Sequence, residues 1–117
     1  MAFQVNQLTS TLYSTDLKDE EGAPVPSLSS LKLYLFDVKS SAILNSRNGQ
    51  SVLNLGGVLI DSQGHLEWQM SPEDNAIVNE SVAQELHKAV FDAKWGSTKR
   101  MTWVVEILVI NVPLVVP

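Results

Sequence analysis

The residues able to do chemistry in this chain are few. His65 and His87 are its only imidazoles, and there is no cysteine. Disulfides, thiolate zinc sites and cysteine nucleophiles are thereby excluded. The two histidines fall in separate alternating stretches, and neither is followed by a second histidine at i+2 or i+4 to share its face. Each reads as a strand histidine in a polar or mixed position, although the two could still meet in space. Glu73 and Asp74 are adjacent, which puts them on different faces of a helix; their place in a first helical turn gives them a role as dipole partners. Serines are plentiful, but none sits in Gly-x-Ser-x-Gly. Gly56-Gly57 lacks the further glycine and Lys-Ser/Thr of a phosphate loop. Asp16, Asp19, Glu20 and Glu21 lack the spacing of a calcium loop, so they read as a solvated turn. No catalytic residue, metal or cofactor is expected. A hydrolase would require His65 or His87 within hydrogen-bond reach of a serine or carboxylate in a cleft.

The elements that would position such groups are strands. His87, Ala89, Phe91, Ala93 and Trp95 alternate with Leu86, Lys88, Val90, Asp92 and Lys94. After Gly96-Ser97-Thr98-Lys99, a second run sets Met101, Trp103, Val105, Ile107 and Val109 against Thr102, Val104, Glu106, Leu108 and Ile110. Two period-2 runs joined by a short glycine-containing link predict a long antiparallel hairpin. Leu31, Leu33 and Leu35 predict one buried face of another strand, with Tyr34, Phe36 and Val38 on its opposite face. Asn45-Ser46-Arg47-Asn48-Gly49 is dense in turn formers and predicts a turn. Val58 to Asp61 and His65 to Met70 predict a second hairpin across Ser62-Gln63-Gly64, with Leu66, Trp68 and Met70 inward. Ser71-Pro72-Glu73-Asp74 predicts a short helix start. Six or seven strands at this spacing, with one short helix crossing between sheets, predict an all-β, immunoglobulin-like antiparallel β-sandwich.

At 117 residues the chain fits one domain. Residues 1–10 read as an N-terminal arm or edge strand, 11–112 as the sandwich and 113–117 as an apolar tail. With 44% hydrophobic and 18% charged residues the chain is expected to fold. Its net charge of −5 and eight basic residues argue against nucleic acid as a partner. The N-terminus has neither a basic start nor a continuous apolar stretch, so a cytosolic beginning is expected. Met101 to Pro117 is short for a membrane-spanning helix and carries Glu106, so no membrane partner is expected.

Apolar strand surface is over-supplied. Both faces of Leu31 to Val38 and of Met101 to Val112 are largely apolar, more than a two-layer sandwich with wet outer faces buries. A neighbouring subunit is the expected cover, in a homo-oligomer or against other proteins. The expected contact residues are Phe3 and Val5 in the arm, Leu108, Ile110 and Val112 on the hairpin, and Leu114, Val115 and Val116 in the tail. Trp68, Trp95 and Trp103 lie on apolar strand faces and read as core; exposed beside the polar stretch Arg47 to Gln50, they would instead suggest a glycan-binding module.

Leu33-Tyr34-Leu35-Phe36-Asp37, the run from Gly64 through Trp68 to Ser71-Pro72-Glu73-Asp74, and His87-Lys88-Ala89-Val90-Phe91 together resemble a recurring small structural protein of tailed bacteriophages. The resemblance covers most of the chain after Thr11, and its motifs are structural. It implies a non-enzymatic virion component, in capsid decoration, the neck or another head-to-tail part, assembled in the host cytoplasm with other virion proteins as partners.

Overall fold

The structure, a computed structural model, describes residues 3–115. Its strands are β1 (Phe3–Asn6), β2 (Thr11–Asp16), β3 (Ser30–Asp37), β4 (Ile43–Ser51), β5 (Val58–Ile60), β6 (His65–Met70), β7 (Gln84–Trp95) and β8 (Lys99–Ile110). They form a five-stranded sheet in the order β1-β8-β7-β3-β4 and a three-stranded sheet in the order β2-β6-β5. The two sheets pack face to face as an all-β sandwich around one hydrophobic core. One ladder departs from the antiparallel expectation, because β1 runs parallel to β8 with Phe3 opposite Ile107 and Val5 opposite Val109. The segment read as an arm or edge strand is thus an edge strand of the larger sheet.

The alternation in the sequence is realised as burial. Leu31, Leu33 and Leu35 of β3, Leu66, Trp68 and Met70 of β6, and Ala89, Phe91 and Ala93 of β7 are fully buried between the sheets. Aromatic rings pin the two layers. Phe91 meets Trp68 edge-to-face at 5.5 Å between centroids and stacks on Trp103 at 4.9 Å. It also stacks on Tyr13 of β2 at 6.4 Å. This last contact joins β2 to β7 across the two sheets of a chain without cysteine.

Two local expectations are corrected. Asn45 to Gly49 is not a turn between elements, because β4 runs through it as an edge strand whose register slips along β3. Asn45, Ser46 and Gly49 take positive φ there, so the turn-forming residues build irregularities within a strand, a device that blunts a sheet edge against unwanted pairing. The helix expected from Ser71 is a single 3₁₀ turn, Pro72–Asn75, and the one α-helical turn among the described residues is α1, Val112–Val115. The 3₁₀ turn does cross between sheets, carrying the chain from β6 towards β7.

Gly64 shows where the backbone allows no side chain. Its φ is +78°, and a Cβ there would lie 2.6 Å from the Leu17 carbonyl oxygen and 3.1 Å from the Val25 nitrogen. The same corner is knitted by the Leu17 amide donating to the Gly64 carbonyl and the Val25 amide donating to the Leu17 carbonyl. Gly64→Ala is expected to cost about 2–3 kcal/mol of stability, read as a lowered urea midpoint.

Candidate assembly face and buried polar clusters

The outward face of the five-stranded sheet has no covering element among the described residues. Cross-strand register sets Tyr34, Val90 and Val104 in one row and Leu86 and Leu108 in another. Phe36, Lys88 and Glu106 lie between these rows, and Phe36 is also opposite Ile43 of β4. Tyr34, Phe36, Leu86, Val90 and Leu108 are half-buried and Val104 is 54% exposed. The rim is polar: Asp92 on this face is gripped by Arg100 at 2.9 and 3.0 Å, which holds its carboxyl below the usual aspartate range.

Of the residues expected to make contacts, Leu108 and Ile110 lie on this face, half-buried. Val5, expected in a free arm, is 6% exposed and belongs to the chain's own core, because the parallel register with β8 turns it inward. Phe3 likewise packs partly against the core, 6.2 Å from the Tyr13 ring. Val112 is half-buried at the start of α1, and Leu114 is 51% exposed. This end of the chain is tied down by Asn111, whose amide donates to the Ala83 carbonyl and whose side chain donates to the carbonyls of Glu80 and Val82. Val115 closes the α1 backbone turn, and Val116 lies outside the described residues.

The polar residues form three clusters that sequence reasoning did not assemble. Arg47 of β4 and Asp74 of the 3₁₀ turn make a buried bidentate ion pair, with Arg47 Nη2 donating to Asp74 Oδ2 at 3.0 Å and Nε to Oδ1. Asn45 Nδ2 and the Ser71 amide donate to the same carboxylate, at 2.8 and 2.9 Å. Asp74 is therefore a structural partner of Arg47, and the dipole role expected from its neighbourhood is at most secondary. Burial alone would raise its carboxyl, but the Arg47, Asn45 and Ser71 donors outweigh burial and hold it below the ordinary aspartate value. The Arg47 guanidinium also lies 5.7 Å from the buried Trp68 ring.

His65 is exposed on β6. Its Nδ1 is 2.8 Å from Asp16 Oδ1 and its Nε2 is 3.7 Å from Glu67 Oε2. The Asp16 hydrogen bond raises the imidazole pKa above its ordinary value. The other acidic residues near Asp16 go to separate partners: Asp19 Oδ1 accepts from the Glu21 and Ala23 amides, and Glu20 pairs with Lys99 at 2.7 Å.

His87 is fully buried, against the expectation of a polar or mixed strand position. Its Nε2 is 2.7 Å from Glu85 Oε1 and 3.8 Å from Asp37 Oδ1. Asp37 stands directly opposite His87 across the β3–β7 ladder, and Glu85 is two residues before it on the same strand face. The spacing Glu85-x-His87 was the signal available in the sequence; Asp37 required knowledge of the register. A groove of about 460 Å³ lined by Asp37, Glu85, Val38, Val78 and Leu86 runs alongside. His87 meets the proximity condition for a hydrolase; it is 0% exposed and does not itself line the groove.

No protein-family model, curated protein or solved structure matches the chain.

Proposed function

We propose that the chain is a non-enzymatic structural subunit of a tailed-phage virion, a capsid-decoration or neck protein that works by packing against neighbouring subunits. The observation that carries this reading is the apolar outer face of the five-stranded sheet, where Val104, Val90, Leu86 and Leu108 share one uncovered surface. Burying such a face gains roughly 25 cal/mol for each Å² removed from water. In a symmetric ring or trimer, or repeated around a particle, contacts that are weak one at a time sum to firm attachment. The bulged β4 edge supports the same reading, since it discourages open-ended strand addition and leaves association to the sheet face. The virion setting rests on the resemblance of segments that fold as β3, β6 with the 3₁₀ turn, and β7.

The alternative of a displayed glycan-binding module is supported less well. Trp68 is fully buried, Trp95 is 7% exposed and Trp103 stacks on Phe91, so these rings are engaged in the core, and Arg47 is buried with Asp74. The test of the proposal is an image reconstruction of particles containing this chain. Density for the sandwich should abut another subunit through the β3-β7-β8 face. Absence of the chain from purified particles, or attachment through loops with that face open to solvent, would overturn the reading.

A further inference from the structure

We propose that Asp37, Glu85 and His87 form a binding site for one divalent transition-metal cation, of the Zn²⁺ or Mn²⁺ class. Among the described residues they are the one group of three whose potential ligand atoms lie together, all within 4.8 Å of one another, and all three residues are buried. A cation with bonds of about 2.0–2.2 Å holds its ligands roughly 3.0–3.6 Å apart. The 2.7 and 3.8 Å separations around His87 Nε2 bracket that value, and the two carboxylate oxygens lie within 4.8 Å of each other.

The hydrogen bonding is incomplete in a way that points to a cation. Both carboxylates are held from behind by loop donors: Ser40 donates its amide and hydroxyl to Asp37 Oδ2, and the Val78 and Asn79 amides donate to Glu85 Oε1 and Oε2. Asp37 Oδ1 is left buried with no hydrogen-bond partner, aimed at His87 Nε2. One Nε2–H is committed to Glu85 at 2.7 Å and cannot also serve Asp37 at 3.8 Å. Two carboxyl groups thus converge on one imidazole away from water, where charge is costly unless paired. A divalent cation bound at Nε2, with the imidazole proton carried on Nδ1, which is buried without a hydrogen-bond partner, balances the two carboxylates and gives Asp37 Oδ1, Glu85 Oε1 and His87 Nε2 one common partner. Asp37 and Glu85 line the adjoining groove, which supplies an entry path and room for water ligands. The imidazole selects a transition metal over Mg²⁺ or Ca²⁺, which favour all-oxygen shells. Bound there, the ion would fasten the β3–β4 turn and the 78–79 segment to the first strand of the long hairpin.

The test is calorimetric titration of chelator-treated protein with Zn²⁺ and with Mn²⁺, alongside thermal melts. His65 has its own two carboxylates on the surface, so the titration is carried out in a His65→Gln background to remove that competitor. The expected result is one ion per chain and a raised melting temperature. Asp37→Asn, which keeps size and can still accept from Ser40, should weaken binding at least tenfold and abolish the melting shift; Glu85→Gln should act likewise. No binding in the His65→Gln protein, or binding of equal strength in folded Asp37→Asn and Glu85→Gln proteins, would overturn the assignment. Circular dichroism of each variant establishes that it is folded, and Mg²⁺ binding as tight as Zn²⁺ would also count against it.

Discussion

Asp74→Ala is expected to lower the unfolding free energy by about 3–5 kcal/mol, a large share of the 5–15 kcal/mol typical of a domain. The effect comes mainly from what is left behind. Asp74 and Arg47 have side chains 0% and 5% exposed, so removing the carboxylate strands a guanidinium beside Trp68 with its Asp74 acceptor gone. Asn45 Nδ2 and the Ser71 amide lose an acceptor as well. Replacing both charges, as in Arg47→Met with Asp74→Leu, should cost less than Asp74→Ala alone, because neither ion then remains unpaired. Urea denaturation of the three proteins checks the order.

The same pair sets an acid limit. The folded-state pKa of Asp74 is lowered, so its contribution is fully present above the unfolded aspartate value of about 3.9 and is lost as pH falls through the lower folded value. Unfolding followed from neutral pH down to about 3 should show wild-type stability declining in this range. The Asp74→Ala protein should lack that component of the decline.

Phe91→Ala is expected to cost a similar 3–5 kcal/mol. Phe91 is fully buried and touches aromatic rings from both sheets: Tyr13 of β2, Trp68 of β6 and Trp103 of β8. Truncation removes the transfer free energy of the ring, opens a cavity between layers and breaks aromatic pairs worth about 0.5–1.5 kcal/mol each. Phe91→Leu retains much of the volume and should cost clearly less, with the difference measuring the aromatic contribution. Near-ultraviolet circular dichroism should report the altered tryptophan packing in both variants.

Much of this fold was legible in the sequence because its information is local. The period-2 runs around Leu31 to Leu35, Leu66 to Met70 and Ala89 to Trp95 name the core face directly, since a strand needs no partner to alternate. The 3₁₀ turn was marked by Ser71-Pro72-Glu73-Asp74, though not its type. What escaped was set by register. Arg47 and Asp74 are 27 residues apart and meet only once β4 lies beside the 3₁₀ turn. Their neighbours Asn45 and Gly49 looked like a turn because positive-φ residues serve bulges and turns alike. Val5 resembled a free arm residue until the parallel pairing with β8 turned it into the core. For His87, Glu85 was readable two positions before it, whereas Asp37 becomes its neighbour only through the β3–β7 ladder.

The uncovered apolar face lies at the centre of the functional reading, and Val104 is its most exposed member. Sedimentation velocity over a concentration series, comparing the unmodified protein with Val104→Lys, tests it most directly. A charge placed in the Tyr34-Val90-Val104 row should leave the fold intact, because this side chain is already half in water, while making burial of the row against another protein unfavourable. The unmodified chain should associate as concentration rises, and Val104→Lys should sediment as a monomer. A wild-type chain that remains monomeric throughout, or a lysine variant that associates equally well, would contradict the account.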